Sequence, residues 1–173
     1  MNILIYWFWS YKKYKTNITE KIIKTLNLEN VKKVIFPVKF DHKIFLNKIK
    51  EINPDLILWL WQHPRIKKIR IEKKAHNLKS QNRKIKWDEI FKWHTKSYIT
   101  NLKIKSDNNS YISYDAWKYV CNFSMYTIMK FFWENKKFWF IHIPKNYNVN
   151  KASKFIKIKL KQFLTNKTEV WNI

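Results

Sequence analysis

The sequence predicts a three-layer α/β/α sandwich on a largely parallel, mixed central sheet, in a single domain spanning residues 1–173. Short apolar runs of strand length alternate with amphipathic stretches of helical period, the pattern of a parallel sheet covered on both faces. No internal repeat and no linker interrupts that alternation. A chain of 173 residues, 46% of them hydrophobic, is also large enough to bury one substantial core.

Each element has its own signal. Asn2–Phe8 is an apolar run; with no basic flank or cleavage site at the start, it reads as the first strand rather than a signal peptide. Asn17 followed by Glu20 has the form of a capping box, and Ile18, Ile22, Ile23 and Leu26 make one helical face. Lys33–Val38 reads as the second strand, ended by Pro37. Asp41 is placed to cap a helix bearing Ile44, Phe45, Ile49 and Ile52, and Asn53-Pro54-Asp55 breaks it before a third strand, Leu56–Trp61. Ile69 and Ile71 alternate with basic residues, predicting a half-exposed strand. Tyr98–Ile104 predicts another strand, and Lys105–Ser113 reads as only a turn. Met125, Ile128, Met129 and Phe132 recur at i, i+3, i+4 and i+7, starting a helix near Cys121. Phe138–Ile143 is a strand and Asn150–Leu164 the closing helix.

Composition narrows the function. No apolar run approaches the roughly 18 residues of a membrane helix, so no membrane partner is expected. One cysteine cannot form an internal disulfide, which agrees with a reducing, cytoplasmic setting. The formal charge of +24 invites a nucleic-acid reading. Lys, Asn, Ile, Phe and Tyr are all encoded by A/T-rich triplets and all abundant, and the basic residues are spread along the chain, so codon bias is the preferred explanation. His42, His63, His76 and His94 lack metal-ligand spacing and read as surface or structural; no metal or cofactor is expected.

Three separated segments together resemble the pyroglutamyl-peptidase I family. Tyr114-Asp-Ala-Trp-Lys-Tyr-Val-Cys121-Asn122, with Tyr126 beyond, resembles the family's nucleophile motif. Phe138-Trp-Phe-Ile-His142-Ile-Pro144 is similar to its strand ending Gly-Phe-Ile-His-Val-Pro. Leu58-Trp-Leu-Trp-Gln62, leading to Ile69, Glu72, Ala75 and Asn77, is similar to its Gly-Gln segment with a downstream Ile, Glu-Arg, Ala and Asn. Weaker likeness surrounds Phe8, Tyr11 and Asn17, Phe36–Phe40 and Ser97–Leu102.

Composition holds a further anomaly. The chain has no glycine, where average usage of about 7% predicts on the order of 12, and it has 10 tryptophans. Trp7, Trp9, Trp59, Trp61, Trp117 and Trp139 fall where the family places or tolerates glycine. The expectation is that the source reads UGA as glycine and that these codons are rendered here as tryptophan.

The resemblance implies a cysteine peptidase that removes an N-terminal pyroglutamate, with Cys121 as nucleophile, His142 as base and Glu72 as the residue steadying the imidazole. At a helix N-terminus beside an imidazolium, the Cys121 thiol is expected to ionise easily. Taken alone, Cys121 reads as a small core residue, His142 as a strand-end histidine, and Glu72 as a solvated partner of Lys73 or Arg70. The resemblance also implies a lactam pocket from Phe8, Tyr11, the backbone of Gln62, Tyr119 and Val120, and a homo-oligomer, a tetramer in the family. The competing readings are a catalytically lapsed relative that binds modified N-termini and a basic nucleic-acid-binding module.

Overall fold

The computed structural model describes residues 1–9, 17–80 and 87–165. In chain order its elements are β1 (Ile3–Phe8), α1 (Ile18–Thr25), β2 (Val31–Phe36), α2 (His42–Ile52), β3 (Leu56–His63), β4 (Ile69–Glu72), β5 (Lys74–His76), β6 (Ser97–Ile99), β7 (Ser110–Ser113), α3 (Val120–Phe132), β8 (Lys137–Pro144) and α4 (Val149–Thr165). Six strands form one sheet in the order β2-β1-β3-β8-β4-β7. The first four are mutually parallel, β4 runs antiparallel to β8, and β7 lies parallel to β4.

The period of two along each strand divides the core into two layers. Leu4, Tyr6 and Phe8, Ile57 and Trp59, and Phe138 and Phe140 pack against Phe45 and Ile49 of α2 and the apolar face of α3. Ile3 and Ile5, Leu56, Leu58 and Leu60, and Trp139, Ile141 and Ile143 pack on the other side against α1 and α4. The expected sandwich with a mixed sheet is what the chain forms.

Helix starts follow their capping chemistry. The Asn17 side chain accepts the Thr19 N–H, and Asp41 accepts the Lys43 N–H. Glu20 pairs with Lys24 at 2.9 Å, an exposed i,i+4 contact. Asn53 ends α2 in the left-handed conformation (φ 47°), which asparagine tolerates. Among the described residues no helix is long and apolar enough to cross a membrane.

Three expectations need correction. β2 begins at Val31, earlier than predicted, because the exposed Lys32 and Lys33 belong to an edge strand with little hydrophobic signal. β4 is buried throughout and not half-exposed, since Arg70 and Glu72 neutralise one another inside the fold. Of the predicted Tyr98–Ile104 strand only Tyr98 and Ile99 pair, within β6 against β5, whereas Lys105–Ser113 holds a turn followed by the genuine strand β7.

Candidate active site

The parallel strands β1, β3 and β8 all end at the same edge of the sheet, the edge at which open α/β folds bind ligands. The antiparallel pairing of β4 with β8 sets Arg70 opposite His142 and Glu72 opposite Phe140. Residues two apart on a strand share a face, so Arg70, Glu72, Phe140 and His142 all project to one side. Phe140 belongs to the α2/α3 layer, as does Cys121. The site is therefore assembled beneath the start of α3.

Glu72 is completely buried, and its Oε1 lies 2.6 Å from His142 Nδ1. A carboxylate only accepts, so Nδ1 carries the hydrogen and Nε2 presents its lone pair. Arg70 Nε stands 2.6 Å from the same oxygen as an ion pair, and its Nη2 donates to the Asp115 carbonyl. Burial lowers the His142 pKa, with Arg70 acting in the same direction and Glu72 opposing both. His142 is thus held as a neutral imidazole. Its ring is flanked by Phe140, with centroids 4.3 Å apart, and by His63 at 5.2 Å.

Cys121 is the second residue of α3 and is 8% exposed. Its thiol departs from expectation: burial pushes the pKa well up, Glu72 adds to the rise, and the residue's own backbone N–H and Arg70 oppose it. Helix position alone does not overcome the cost of a buried anion. A protonated thiol within electrostatic reach of Glu72 and Arg70, on the layer of a neutral imidazole, calls for proton transfer during attack and not a standing thiolate.

The next residue fixes where Cys121 stands. Asn122 Oδ1 accepts the His76 N–H at 2.7 Å, and its Nδ2 donates to the carbonyls of His76 and Leu78 at 2.7 Å each. This buried amide ties the first turn of α3 to the β5 segment. Tyr119 occupies the N-cap without a side-chain capping bond, unlike Asn17 and Asp41, so the first N–H groups of α3 have no side chain sealing them.

The other expected residues are dispersed around this edge. Phe8 is fully buried, edge-on to Trp59 and Trp61 at 5.1 and 5.4 Å. Gln62 has its side chain in the opposite layer, accepting the Ile18 N–H at 3.3 Å, while its backbone pairs in β3 across from Ile143. Val120 is buried, and the half-buried Tyr119 ring lies 6.4 Å from Trp117. Tyr11 lies outside the described residues. Sequence reasoning missed Arg70 and His63 as members of this cluster. His63 had looked peripheral, yet it is 6% exposed and sits between Trp117 and His142.

The family model described as pyroglutamyl peptidase matches residues 1–154. A pyrrolidone-carboxylate peptidase of Saccharolobus islandicus (strain L.S.2.15 / Lassen #1) is 27% identical over 207 aligned residues, covering 98% of this chain and 98% of its own. Pyrrolidone-carboxylate peptidase 1 of Saccharolobus solfataricus is 26% identical, covering 100% of this chain and 99% of its own. Among solved structures, pyrrolidone carboxyl peptidase from the hyperthermophile Pyrococcus furiosus superposes with a TM-score of 0.79 at 21% identity, over 96% of this chain and 99% of that one. Pyroglutamyl peptidase I from Bacillus amyloliquefaciens gives 0.77 at 21% identity, over 91% and 92%. At those identities the solved structures establish a shared fold.

Proposed function

The chain belongs to the pyroglutamyl peptidase family and is a peptidase, and from that premise we propose that Cys121, His142 and Glu72 together cleave an N-terminal pyroglutamyl residue from peptides. The observation that carries this reading is the 2.6 Å contact between buried Glu72 and His142, in the layer where α3 delivers Cys121.

Nε2 of His142 takes the thiol proton as Sγ attacks the pyroglutamyl carbonyl, forming the C–S bond. Glu72 stabilises the imidazolium that results and keeps its tautomer correct. The developing oxyanion faces the unsealed first-turn N–H groups of α3. Collapse breaks the C–N bond, and the imidazolium hands its proton to the departing amine. Water, deprotonated by the same ring, then hydrolyses the thioester to release pyroglutamate and restore the thiol. The lactam is assigned to a pocket formed by Phe8, Tyr11, the Gln62 backbone, Tyr119 and Val120. A cytoplasmic setting and a homo-oligomeric assembly are part of the same reading.

We also propose that the ten tryptophans stand for glycines, read from UGA. Of the four described non-glycine residues with positive φ, two are asparagines and two are Trp93 (φ 62°) and Trp117 (φ 61°). Glycine adopts that backbone without steric cost, whereas any residue with a Cβ is strained there. Trp59 and Trp139 are buried with their indole N–H groups unpartnered, which a tryptophan evolved for that place normally avoids.

The test is turnover of a pyroglutamyl-coumarin amide by the chain carrying glycine at the ten positions. Turnover lost in Cys121→Ala and on thiol alkylation supports the assignment, and no turnover at all removes it. TGG codons at these positions in the open reading frame would sink the recoding.

A further inference from the structure

The geometry points to His63 as a positioning residue that wedges the imidazole of His142 so that its Nε2 faces the nucleophile, an inference resting on the proposed triad. A single hydrogen bond at Nδ1 leaves the His142 ring able to swing about that contact, because its terminal torsion is broad. Two neighbouring rings limit the swing. Phe140, two residues earlier on β8, lies 4.3 Å away with planes inclined 58°. His63, at the end of the adjacent strand β3, lies 5.2 Å away at 87°. Glu72, Phe140 and His63 therefore confine the imidazole from three different strands.

His63 can act as a wedge because it is itself held. Its Nδ1 accepts the Arg65 N–H at 3.2 Å, and its carbonyl accepts the Lys145 N–H at 3.0 Å. Accepting at Nδ1 requires a lone pair there, so the hydrogen sits on Nε2 and the ring is neutral. The groups facing it are Arg65 in the following turn, Arg70 on β4, His142 on β8 and the Trp117 indole, 5.2 Å away before α3. Burial first, then the neighbouring His142, Arg70 and Arg65, bring its pKa down to about 4. A neutral wedge adds no charge beside the catalytic imidazole at neutral pH, and it keeps water from that face of the ring.

The experiment compares His63→Ala with His63→Phe in the chain with its tryptophans and in the chain carrying glycine at the ten positions. Steady-state rates are measured on the coumarin amide, and the pH dependence of Cys121 alkylation by iodoacetamide is measured without substrate. His63→Ala is expected to lower kcat about tenfold with KM changed less than about twofold, as misplacement of a base predicts. Water reaching the ring relieves its desolvation, so the acid limb of the alkylation profile moves up by about half a unit. His63→Phe, which keeps a flat ring in place, is expected to recover most of the lost kcat and the parental profile. An unchanged kcat in His63→Ala overturns the inference. So does a raised KM that His63→Phe fails to restore, which would make His63 a substrate donor. Absence of turnover in every form counts against the triad reading, while the alkylation profile still decides whether His63 controls His142.

Discussion

Replacing Trp93 by glycine should make this protein more stable, against the usual result of deleting an aromatic residue. Trp93 is 96% exposed, so its indole contributes almost no burial that could be lost. Its φ of 62° places Cβ against the following carbonyl, costing about 1–2 kcal/mol relative to glycine. The backbone cannot easily relax, because both sides of the turn are tied down. Asn77 Oδ1 accepts the Phe91 N–H at 2.9 Å and its Nδ2 donates to the Phe91 carbonyl at 2.7 Å, and Tyr126 donates to the Thr95 carbonyl at 2.5 Å. Glycine loses more freedom on folding, which offsets about 0.5–1 kcal/mol of the relief. The expected net gain is about 0.5–1 kcal/mol, a rise in Tm of about 2 °C for a chain of this size. Urea midpoints compare Trp93→Gly with Trp93→Ala, which keeps a Cβ and should stay within about 0.5 kcal/mol of the parent. Equal midpoints for the two variants, or a loss of stability in Trp93→Gly, would refute the claim that this backbone was built for glycine.

The remaining predictions concern the site. Glu72→Gln should lower kcat by about a thousandfold, because an amide can present its N–H to Nδ1 and so invert the tautomer that His142 needs. Steady-state kinetics at fixed pH checks this, and a loss below tenfold would remove Glu72 from the mechanism. Because the His142 pKa is lowered from 6.5, the acid limb of kcat/KM should fall below pH 6.5 and not at or above it, as a pH–rate profile would read. His63 has a folded pKa of about 4 against 6.5 unfolded, so the unfolded chain takes up the proton first as pH falls. Stability should therefore drop by about 2 kcal/mol between pH 6.5 and 4, then level off, and His63→Phe should lack that component in urea titrations. Asn122→Ala removes three buried hydrogen bonds and should destabilise by about 3 kcal/mol in the same assay.

The parts of the fold that could be read from the sequence were those where burial dictates a period. The apolar runs of β1, β3 and β8 and the i, i+3, i+4 faces of α1, α2 and α3 came from that constraint, while the caps Asn17 and Asp41 came from hydrogen bonding to the first helical N–H groups. Strands made by pairing rather than burial could not be read the same way. β5 and β6 are three residues each and form their own two-stranded sheet, and β7 is a short edge strand of Ser, Tyr, Ile and Ser. The direction of β4 left no trace in its composition, and its Arg70 and Glu72 imitate a solvated face because their compensation comes from one another and from His142. The proposed site residues Cys121, His142 and Glu72 were singled out by motif. The support around them escaped notice, since the ring of His63 gains its meaning only when β3 and β8 lie side by side.

The antiparallel meeting of β4 and β8 has a consequence for how this enzyme can be monitored. Sliding β4 by one residue would carry Glu72 and Arg70 into the opposite layer and put Ile71 in their place, with little change in hydrogen-bond count or overall shape. Spectroscopy would barely notice, but the imidazole would lose its anionic anchor and, on the proposed mechanism, hydrolysis would stop. Catalytic output is therefore a more stringent gauge of correct strand alignment in this chain than any measure of secondary structure.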